Sequence, residues 1–194
     1  MIEADLSKAV NLYDYNKILE QELKKAHGEE YTDYLDAISK YSTEIKSYRE
    51  IGTWQGASTS RILLEFSFKS GSGDKMPYVQ TIDNDLKKYL KHHHHFDTFA
   101  KQNKIEYIAT ETDSLDYLVG TEVDFTFLDG WHNANHVFKE LIKYSLFTKK
   151  YIMLHDTTLF PRLTIAVDRF VNKGGWKIKE KNHANVGFTI LEKK

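Results

Sequence analysis

Cysteine is missing from this 194-residue sequence, and neither sign of charge is in excess. Without cysteine the chain can form no disulfide framework, no thiolate zinc site and no cysteine nucleophile. The formal net charge is −1 at pH 7, so no overall field attracts nucleic acid or an anionic membrane surface. No apolar run approaches the ~20 residues of a membrane-spanning helix. We therefore expect neither nucleic acid nor a membrane among the partners.

The start of the chain also lacks the features of a secretory signal. Residues 1–17, MIEADLSKAVNLYDYNK, have neither a basic n-region nor an apolar h-region, and we therefore predict a cytoplasmic protein. Hydrophobic residues make up 41% and charged residues 28% of the sequence, which is ordinary for a globular protein. The length predicts one domain that can bury a core without covalent staples.

Residues 1–47 have apolar side chains at roughly helical intervals. Ile18, Leu19 and Leu23 form one such group, and Tyr34, Leu35 and Ile38 form another. This spacing predicts two or three amphipathic helices separated near the sequence HGEE. We interpret residues 1–47 as an N-terminal helical cap, for which the sequence offers no functional signature.

From Tyr48 onward, short β-like runs alternate with helical segments. The predicted strands are YREI, YVQTI, IEYIA, DFTFL, YIML, GWKIK and GFTIL. The predicted helices are STSRILLEF, DNDLKKYL, SLDYL, NANHVFKELIKYSLF and RLTIAVDRFVN. This alternation predicts an α/β protein with a mostly parallel sheet covered by helices on both faces. The last two predicted strands are expected to form a terminal antiparallel hairpin. The sequence SGSGDKMP at residues 70–77 predicts a loop, and we interpret residues 48–194 as one α/β unit.

The stretch YREIGTWQGASTSRILLEF, residues 48–66, places two glycines between a predicted strand and a predicted helix. Glycine permits a positive φ and lets a ligand approach the backbone, and the helix start offers free N–H groups. The register fits neither the three-glycine dinucleotide fingerprint nor a phosphate loop. Glu50, two residues before Gly52, suits a cationic ligand better than a pyrophosphate. A tight turn without a ligand is the alternative.

The segment EIGTWQGAST, residues 50–59, resembles the first motif of the class I S-adenosylmethionine-dependent methyltransferases. Later segments follow in that family's order: QTID ends in Asp83, and ATETDSLDYL contains Asp113 and Ser114. VDFTFLDGWHNANHVFKEL and YIMLHDT resemble the fourth motif and the next strand of a subgroup that has acid-Gly-x-His and then His-Asp. The resemblance covers about residues 48–191.

This resemblance implies a Rossmann-like fold, S-adenosylmethionine as cofactor and methyl transfer, which we expect to go to an oxygen of a small molecule or sugar. Asp83 would accept hydrogen bonds from the ribose hydroxyls, and Asp113 and Ser114 would lie on the adenine side. The implied cofactor-binding residues are Glu50, Gly52, Thr53, Trp54, Gly56, Ser58, Asp83, Asp113, Ser114 and Asp129. We expect a bulky residue at Gly52 to abolish cofactor binding and to leave the fold intact.

Asp129, His132, His155 and Asp156 fall at or just beyond predicted strand ends, which the resemblance places beside the methyl sulfonium. His132 or His155 could act as general base, with Asp129 or Asp156 as the orienting partner. Alternatively, Asp129 and Asp156 could hold Mg²⁺, as in some O-methyltransferases of this fold. A hard cation prefers oxygen ligands, and Thr157 stands where a third one is usual, which disfavours Mg²⁺.

Plainer interpretations exist for several of these residues. Asp129-Gly130 could be a strand-terminating turn, and His155-Asp156 could cap a helix. His136, at i+4 from His132, lacks the glutamate of a zinc-protease helix and is interpreted as structural or solvated. The run His92–His95 is interpreted as a solvated surface. Trp54 and Trp131 could either stack on a ligand or pack in the core.

Two other functions stay open on the sequence alone. One is a dinucleotide-dependent oxidoreductase on a similar sheet, against which the glycine register and the adjacent acid argue. The other is a cofactor-binding scaffold without catalysis, whose N-terminal helices serve a partner or form a homodimer. Fold alone does not decide between these classes.

Overall fold

The structure is a computed structural model that describes residues 3–69 and 76–194. Residues 70–75 of the predicted loop lie outside this described part. The helices are α1 (Leu12–His27), α2 (Asp33–Ser42), α3 (Ala57–Ser67), α4 (Lys87–Leu90), α5 (His93–Gln102), α6 (Ala134–Ser145) and α7 (Arg162–Val171), with a 3₁₀ turn at Glu29–Thr32. The strands are β1 (Ser47–Ile51), β2 (Tyr78–Asp83), β3 (Glu106–Glu111), β4 (Val123–Leu128), β5 (Thr148–His155), β6 (Trp176–Asn182) and β7 (Phe188–Lys193).

Within the described residues the strands form one seven-stranded sheet in the order β3-β2-β1-β4-β5-β7-β6. The first five are parallel, and β7 pairs antiparallel with both β5 and β6. The predicted α/β class, the mostly parallel sheet and the terminal hairpin are therefore confirmed. The strand order reverses between β1 and β4, where ligands bind in open α/β sheets.

Helices cover both faces of the sheet, and the central strands β1 and β4 are therefore buried on both sides. The larger hydrophobic cluster combines side chains of α1, α2, α3 and α5 with one face of the sheet, among them Leu19, Ile38 and Phe127. The second cluster combines α6 and α7 with the opposite face, among them Leu141 and Phe170. The N-terminal helices thus share a core with the sheet.

The N-terminal helical pattern gives two helices, as predicted, with their junction in the sequence HGEE. Asn11 caps the first helix, since its Oδ1 accepts the N–H of Asp14 at 2.9 Å. That helix ends before Gly28, whose φ of 98° favours glycine. The 3₁₀ turn that follows leads directly into α2.

The predicted helix SLDYL, residues 114–118, is wrong. This segment is a turn, in which Asp113 Oδ1 accepts the N–H of Leu115 at 2.8 Å. The carbonyls of Ser114 and Leu115 accept hydrogen bonds from Lys143 Nζ at 3.0 and 2.7 Å. Because side chains of α6 satisfy these carbonyls, the backbone has no need of helical partners.

The histidine run is only partly solvated. His93 and His94 are exposed at the start of α5. His92 and His95 are half-buried, with ring centroids 5.5 and 6.0 Å from that of the buried Tyr15.

None of the described helices has the length and apolar character to cross a membrane.

Candidate functional site

A cavity of about 440 Å³ opens at the carboxyl edge of the parallel strands. The loops after all five parallel strands contribute to it, as expected for the edge where the strand order reverses. The predicted site residues on its wall are Gly52, Trp54, Asp83, Asp113, Ser114, Asp129, His132, His155 and Asp156. Tyr31, His136 and Glu140 line it as well.

Gly52 has a structural reason to be glycine. Its φ is +90°, and a Cβ there would lie 2.3 Å from the carbonyl oxygen of Asp129. The expectation that a bulky residue at Gly52 would leave the fold intact is therefore wrong, because β1 and β4 could not keep their spacing. Gly56, with a φ of +78°, packs against the ring of Phe96, where a Cβ would come within 2.9 Å.

Asp83 joins the glycine loop to the end of β2. Its Oδ2 accepts the N–H groups of Thr53 at 2.6 Å and Trp54 at 3.2 Å. Its Oδ1 accepts the N–H of Asp85 at 3.0 Å. A carboxylate has about four acceptor positions, so Asp83 fixes the loop and retains capacity for a ligand in the cavity that it lines.

Glu50 lies beneath the glycine loop, outside the cavity wall. Both of its oxygens accept hydroxyl hydrogen bonds, from Ser58 at 2.6 Å and from Thr59 at 2.5 Å. Burial raises the pKa of Glu50 to about 8 against the opposing effect of these two hydroxyls. Thr53 likewise faces inward, where its hydroxyl bonds that of Thr81. Glu50, Thr53, Gly56 and Ser58 thus support the loop from below.

Trp54 and Trp131 both line the cavity. Lys88 Nζ lies over the ring of Trp54, 3.4 Å from its centroid. Trp131 is 67% exposed, so the core-packing interpretation is wrong for this residue. Its ring lies beside that of His136, with centroids 5.1 Å apart.

The loop after β3, the edge strand of the parallel part of the sheet, brings Asp113 and Ser114 to the cavity. Ser114 Oγ donates to Glu140 Oε1 at 2.5 Å and lies 3.1 Å from His136 Nε2. Glu140 was not among the predicted site residues, although its i+4 spacing from His136 predicts side-chain contact on one helix face. His136 is therefore a cavity residue rather than a solvated one.

Two acids and two histidines converge beyond β4 and β5. His155 Nδ1 lies 3.1 Å from Asp129 Oδ1 and 3.4 Å from Asp156 Oδ1. His132 Nε2 lies 3.0 Å from Asp156 Oδ2 and 3.7 Å from Asp129 Oδ1. The structure thus brings all four predicted catalytic residues together.

The charges of this cluster shift its protonation. Burial would lower the pKa of His132, but Asp129 and Asp156 outweigh it and raise that pKa to about 9. Burial acts the same way on His155, and the same two acids raise its pKa. Burial would raise the pKa of Asp129, but His155 and His132 together lower it. In the free protein at neutral pH, His132 is therefore a cation between carboxylates.

The backbone of Asp156 and two neighbouring aromatic rings position the acid–histidine cluster. Asp156 has a φ of +59°, which strains any residue other than glycine and recurs at functional positions. It is not the cap of α7, which begins only at Arg162. His132 stacks on Phe160 with ring centroids 4.5 Å apart and planes 5° apart. Tyr31, from the N-terminal region, approaches His155 edge-on with ring centroids 6.0 Å apart. No local pattern in the sequence predicts this long-range contact.

The donor set fits Mg²⁺ poorly. One atom each from Asp129, His132 and Asp156 lie within 4.8 Å of one another, and Asp156 Oδ1 is buried without a hydrogen bond. A hard cation prefers oxygen ligands, whereas an imidazole with two carboxylates is more typical of transition metals. Thr157 is not on the cavity wall, and its Oγ1 accepts a hydrogen bond from Thr189 Oγ1 at 3.2 Å.

No protein-family profile matches the chain, and no curated protein matches it in sequence. Solved structures do match. An O-methyltransferase from Bacillus cereus in complex with SAH aligns over 98% of this chain and 94% of its own, with a TM-score of 0.62 and 16% identity. The chain has the class I methyltransferase fold.

Two further structures support that fold assignment. The O-methyltransferase TomG from Streptomyces achromogenes, in complex with SAM, aligns over 100% of both chains with a TM-score of 0.59 and 12% identity. The N-methyltransferase NodS from Bradyrhizobium japonicum aligns over 83% of this chain and 94% of its own, with a TM-score of 0.53 and 10% identity. The resemblance drawn from the motifs is thus confirmed for the fold, and the proposed motif subgroup stays a prediction.

Proposed function

We propose that the protein is an S-adenosylmethionine-dependent methyltransferase that methylates a hydroxyl oxygen of a small molecule. The observation that carries this proposal is the arrangement along one cavity. Ser114 follows β3, Asp83 and Gly52 follow the neighbouring β2 and β1, and the acid–histidine cluster with Asp129 follows β4 and β5, in the order of these strands in the sheet. This order matches a ligand composed of a base, a ribose and a cationic sulfonium.

The cavity residues would divide the binding of the cofactor. Asp83, which lines the cavity, would accept one ribose hydroxyl rather than two, because three backbone N–H groups already take three of its about four acceptor positions. Asp113 and Ser114 would bind the base. The missing side chain at Gly52 lets the ligand approach the loop, and Asp129 contributes negative charge near the sulfonium. Glu50, Thr53, Gly56 and Ser58 would act indirectly, by supporting the loop.

When bound, the cofactor would supply an electrophilic methyl group, with a neutral thioether as the leaving group. The protein must place the acceptor oxygen in line with that methyl carbon and take up the hydroxyl proton. His132 is the base we propose, because it is more accessible than His155, with 23% against 3% of the side chain exposed. Asp129 and Asp156 orient it and stabilise the imidazolium that forms.

A hydroxyl acceptor fits a site that holds a base, because an alcohol must lose its proton during methyl transfer. The near-neutral net charge favours a small molecule, such as a phenol or a sugar, over nucleic acid. Because Mg²⁺ fits poorly, the proposed mechanism does not use Mg²⁺. Activity that survives exhaustive chelation with EDTA would support this mechanism, and activity restored only by divalent ions would contradict it.

Ligand-induced thermal shift tests the proposal against the oxidoreductase alternative. We expect S-adenosylhomocysteine to raise the melting temperature and NAD(P) to leave it unchanged. Asp83→Asn should weaken S-adenosylhomocysteine binding about tenfold, because an amide accepts fewer hydrogen bonds than a carboxylate. Asp116→Asn, in the turn after Ser114 and off the cavity wall, is the matched control. Stabilisation by NAD(P) alone would contradict the proposal.

A further inference from the structure

The wall of the cavity carries more negative than positive charge. Among the described residues that line it, the carboxylates are Asp83, Asp113, Asp129, Glu140 and Asp156, and there is no lysine or arginine. The wall groups that can carry positive charge are the imidazoles of His132, His136 and His155. S-adenosylmethionine carries one net positive charge. Even with all three imidazoles protonated and this cofactor bound, the carboxylates therefore outnumber the positive charges.

Asp156 contributes negative charge at the end of the cavity where the acceptor must lie. It is 8% exposed, and its Oδ1 forms no hydrogen bond within the described part of the chain. A cleft lined by charge of one sign concentrates ligands of the opposite sign, and a like charge brought against it is repelled. A carboxylate, phosphate or sulfate on the acceptor would therefore oppose binding here.

Leu159 and Phe160 present apolar surface beside the proposed base. They are 56% and 38% exposed, and the ring of Phe160 stacks on that of His132. The backbone of their loop is fixed, because the N–H groups of Thr158 and Leu159 both donate to the carbonyl of Val186, at 2.8 and 3.1 Å. Neighbouring apolar side chains that a fixed loop exposes beside a cavity are typical of a ligand-binding surface.

We propose that the methyl acceptor is a phenol without an anionic group, and that Leu159 and Phe160 contact its apolar ring. This inference rests on the proposed function, which places the reacting hydroxyl at His132. An uncharged or cationic phenol fits both the negative wall and the apolar side chains. A phosphorylated sugar would meet the wall with like charge, and an unmodified sugar would leave the two apolar side chains without an apolar partner.

Three phenols that differ only in the end of one side chain test this inference. They are 4-propylphenol, which is uncharged, tyramine, which carries an ammonium group, and 3-(4-hydroxyphenyl)propanoate, which carries a carboxylate. At neutral pH we expect kcat/KM for each of the first two to exceed that for the propanoate at least about tenfold. Raising the ionic strength to about 0.5 M should reduce this difference, because salt screens the charge of the wall.

A charge introduced at Leu159 provides the matched variant. Leu159→Lys places a cation beside the acceptor end of the cavity, so kcat/KM for the propanoate should come within about threefold of that for 4-propylphenol. Ile165→Lys is the control, since Ile165 is also 56% exposed but lies on α7 and off the cavity wall. This control should keep the wild-type ratio.

The outcomes separate this inference from the proposed function. A wild-type protein that methylates the propanoate as well as 4-propylphenol, or that methylates none of the three phenols, would overturn the inference. An unchanged ratio in Leu159→Lys would overturn it as well. If calorimetry shows that S-adenosylhomocysteine binds in those cases, the proposed function stands with another acceptor. Absence of both methylation and S-adenosylhomocysteine binding would overturn both.

Discussion

At the scale of single residues, Glu50 supports the glycine loop from below, whereas the motif resemblance implied that it binds the cofactor. It is buried under the glycine loop and accepts hydroxyls from Ser58 and Thr59. Its folded-state pKa of about 8 exceeds the unfolded value of 4.5. The folded protein therefore holds a proton that the unfolded chain releases, and stability falls as pH rises from about 4.5 to about 8.

Glu50→Gln should remove this pH-dependent loss. Glutamine carries no charge to desolvate. At pH 8.5 we therefore expect the free energy of unfolding of the variant to exceed that of the wild type by up to roughly 2–3 kcal/mol, and its melting temperature to be higher. The difference should vanish below pH 4.5, and the exposed control Glu122→Gln should show no such trend. A variant less stable than the wild type at pH 8.5 would mean that the carboxylate itself stabilises the fold.

His132 should set the pH dependence of catalysis. Its pKa of about 9 means that the imidazole is protonated at pH 7 and becomes a base only as the pH rises. We expect the methyl-transfer rate to increase between pH 7 and pH 9, and His132→Gln to lower it by about 10²-fold or more and to flatten the profile. His183→Gln, at an exposed histidine, is the control. An unchanged profile in His132→Gln would exclude it as the base.

At the scale of elements, the glycine loop depends on the N-terminal segment. Gln55 Oε1 accepts the N–H of Ala4 at 3.0 Å, and Gln55 Nε2 donates to the carbonyl of Ala4 at 3.1 Å. Tyr15 OH donates to the carbonyl of Gln55 at 2.6 Å. All three contacts are buried, so residues near the start of the chain fix the loop that lines the cavity.

Gln55→Ala should therefore affect both stability and binding. Loss of the side chain leaves two buried backbone groups of Ala4 without partners, which costs about 1–3 kcal/mol, and calorimetry should show about tenfold weaker binding of S-adenosylhomocysteine. Gln102→Ala at the exposed end of α5 should change neither. If Gln55→Ala bound the ligand with wild-type affinity, the loop would hold its shape without the N-terminal segment.

At the scale of the whole molecule, the sequence predicted what strong periodicity and local motifs encode. The alternation from Tyr48 onward predicted the sheet and its hairpin. Of the residues predicted from the glycine loop and the strand-end acids, Gly52, Asp83 and Asp129 lie on the cavity wall, whereas Glu50, Thr53, Gly56 and Ser58 do not. The 114–118 helix was wrong because partners on α6, remote in sequence, satisfy its carbonyls. Tyr31 and Glu140 were missed because their roles depend on packing between distant elements.

The packing of the N-terminal helices also depends on contacts between residues that are distant in sequence. Asn182 Nδ2 donates to Asp33 Oδ2 at 3.0 Å, and Asn185 Nδ2 donates to the carbonyl of His27 at 2.8 Å. These bonds attach the N-terminal region to the last residue of β6 and to the turn that follows it, near the other end of the sequence. No local pattern predicts such contacts, and the role of residues 1–47 therefore emerges only from the folded molecule.

A crystal structure with S-adenosylhomocysteine tests the central claim most directly. We predict electron density for the ligand along the cavity, with a ribose hydroxyl ~2.6–3.2 Å from the carboxylate of Asp83. The base should contact Ser114, and the sulfur should face Asp129 and His132. Density at another surface, or a ribose remote from Asp83 in a fully occupied complex, would contradict the account.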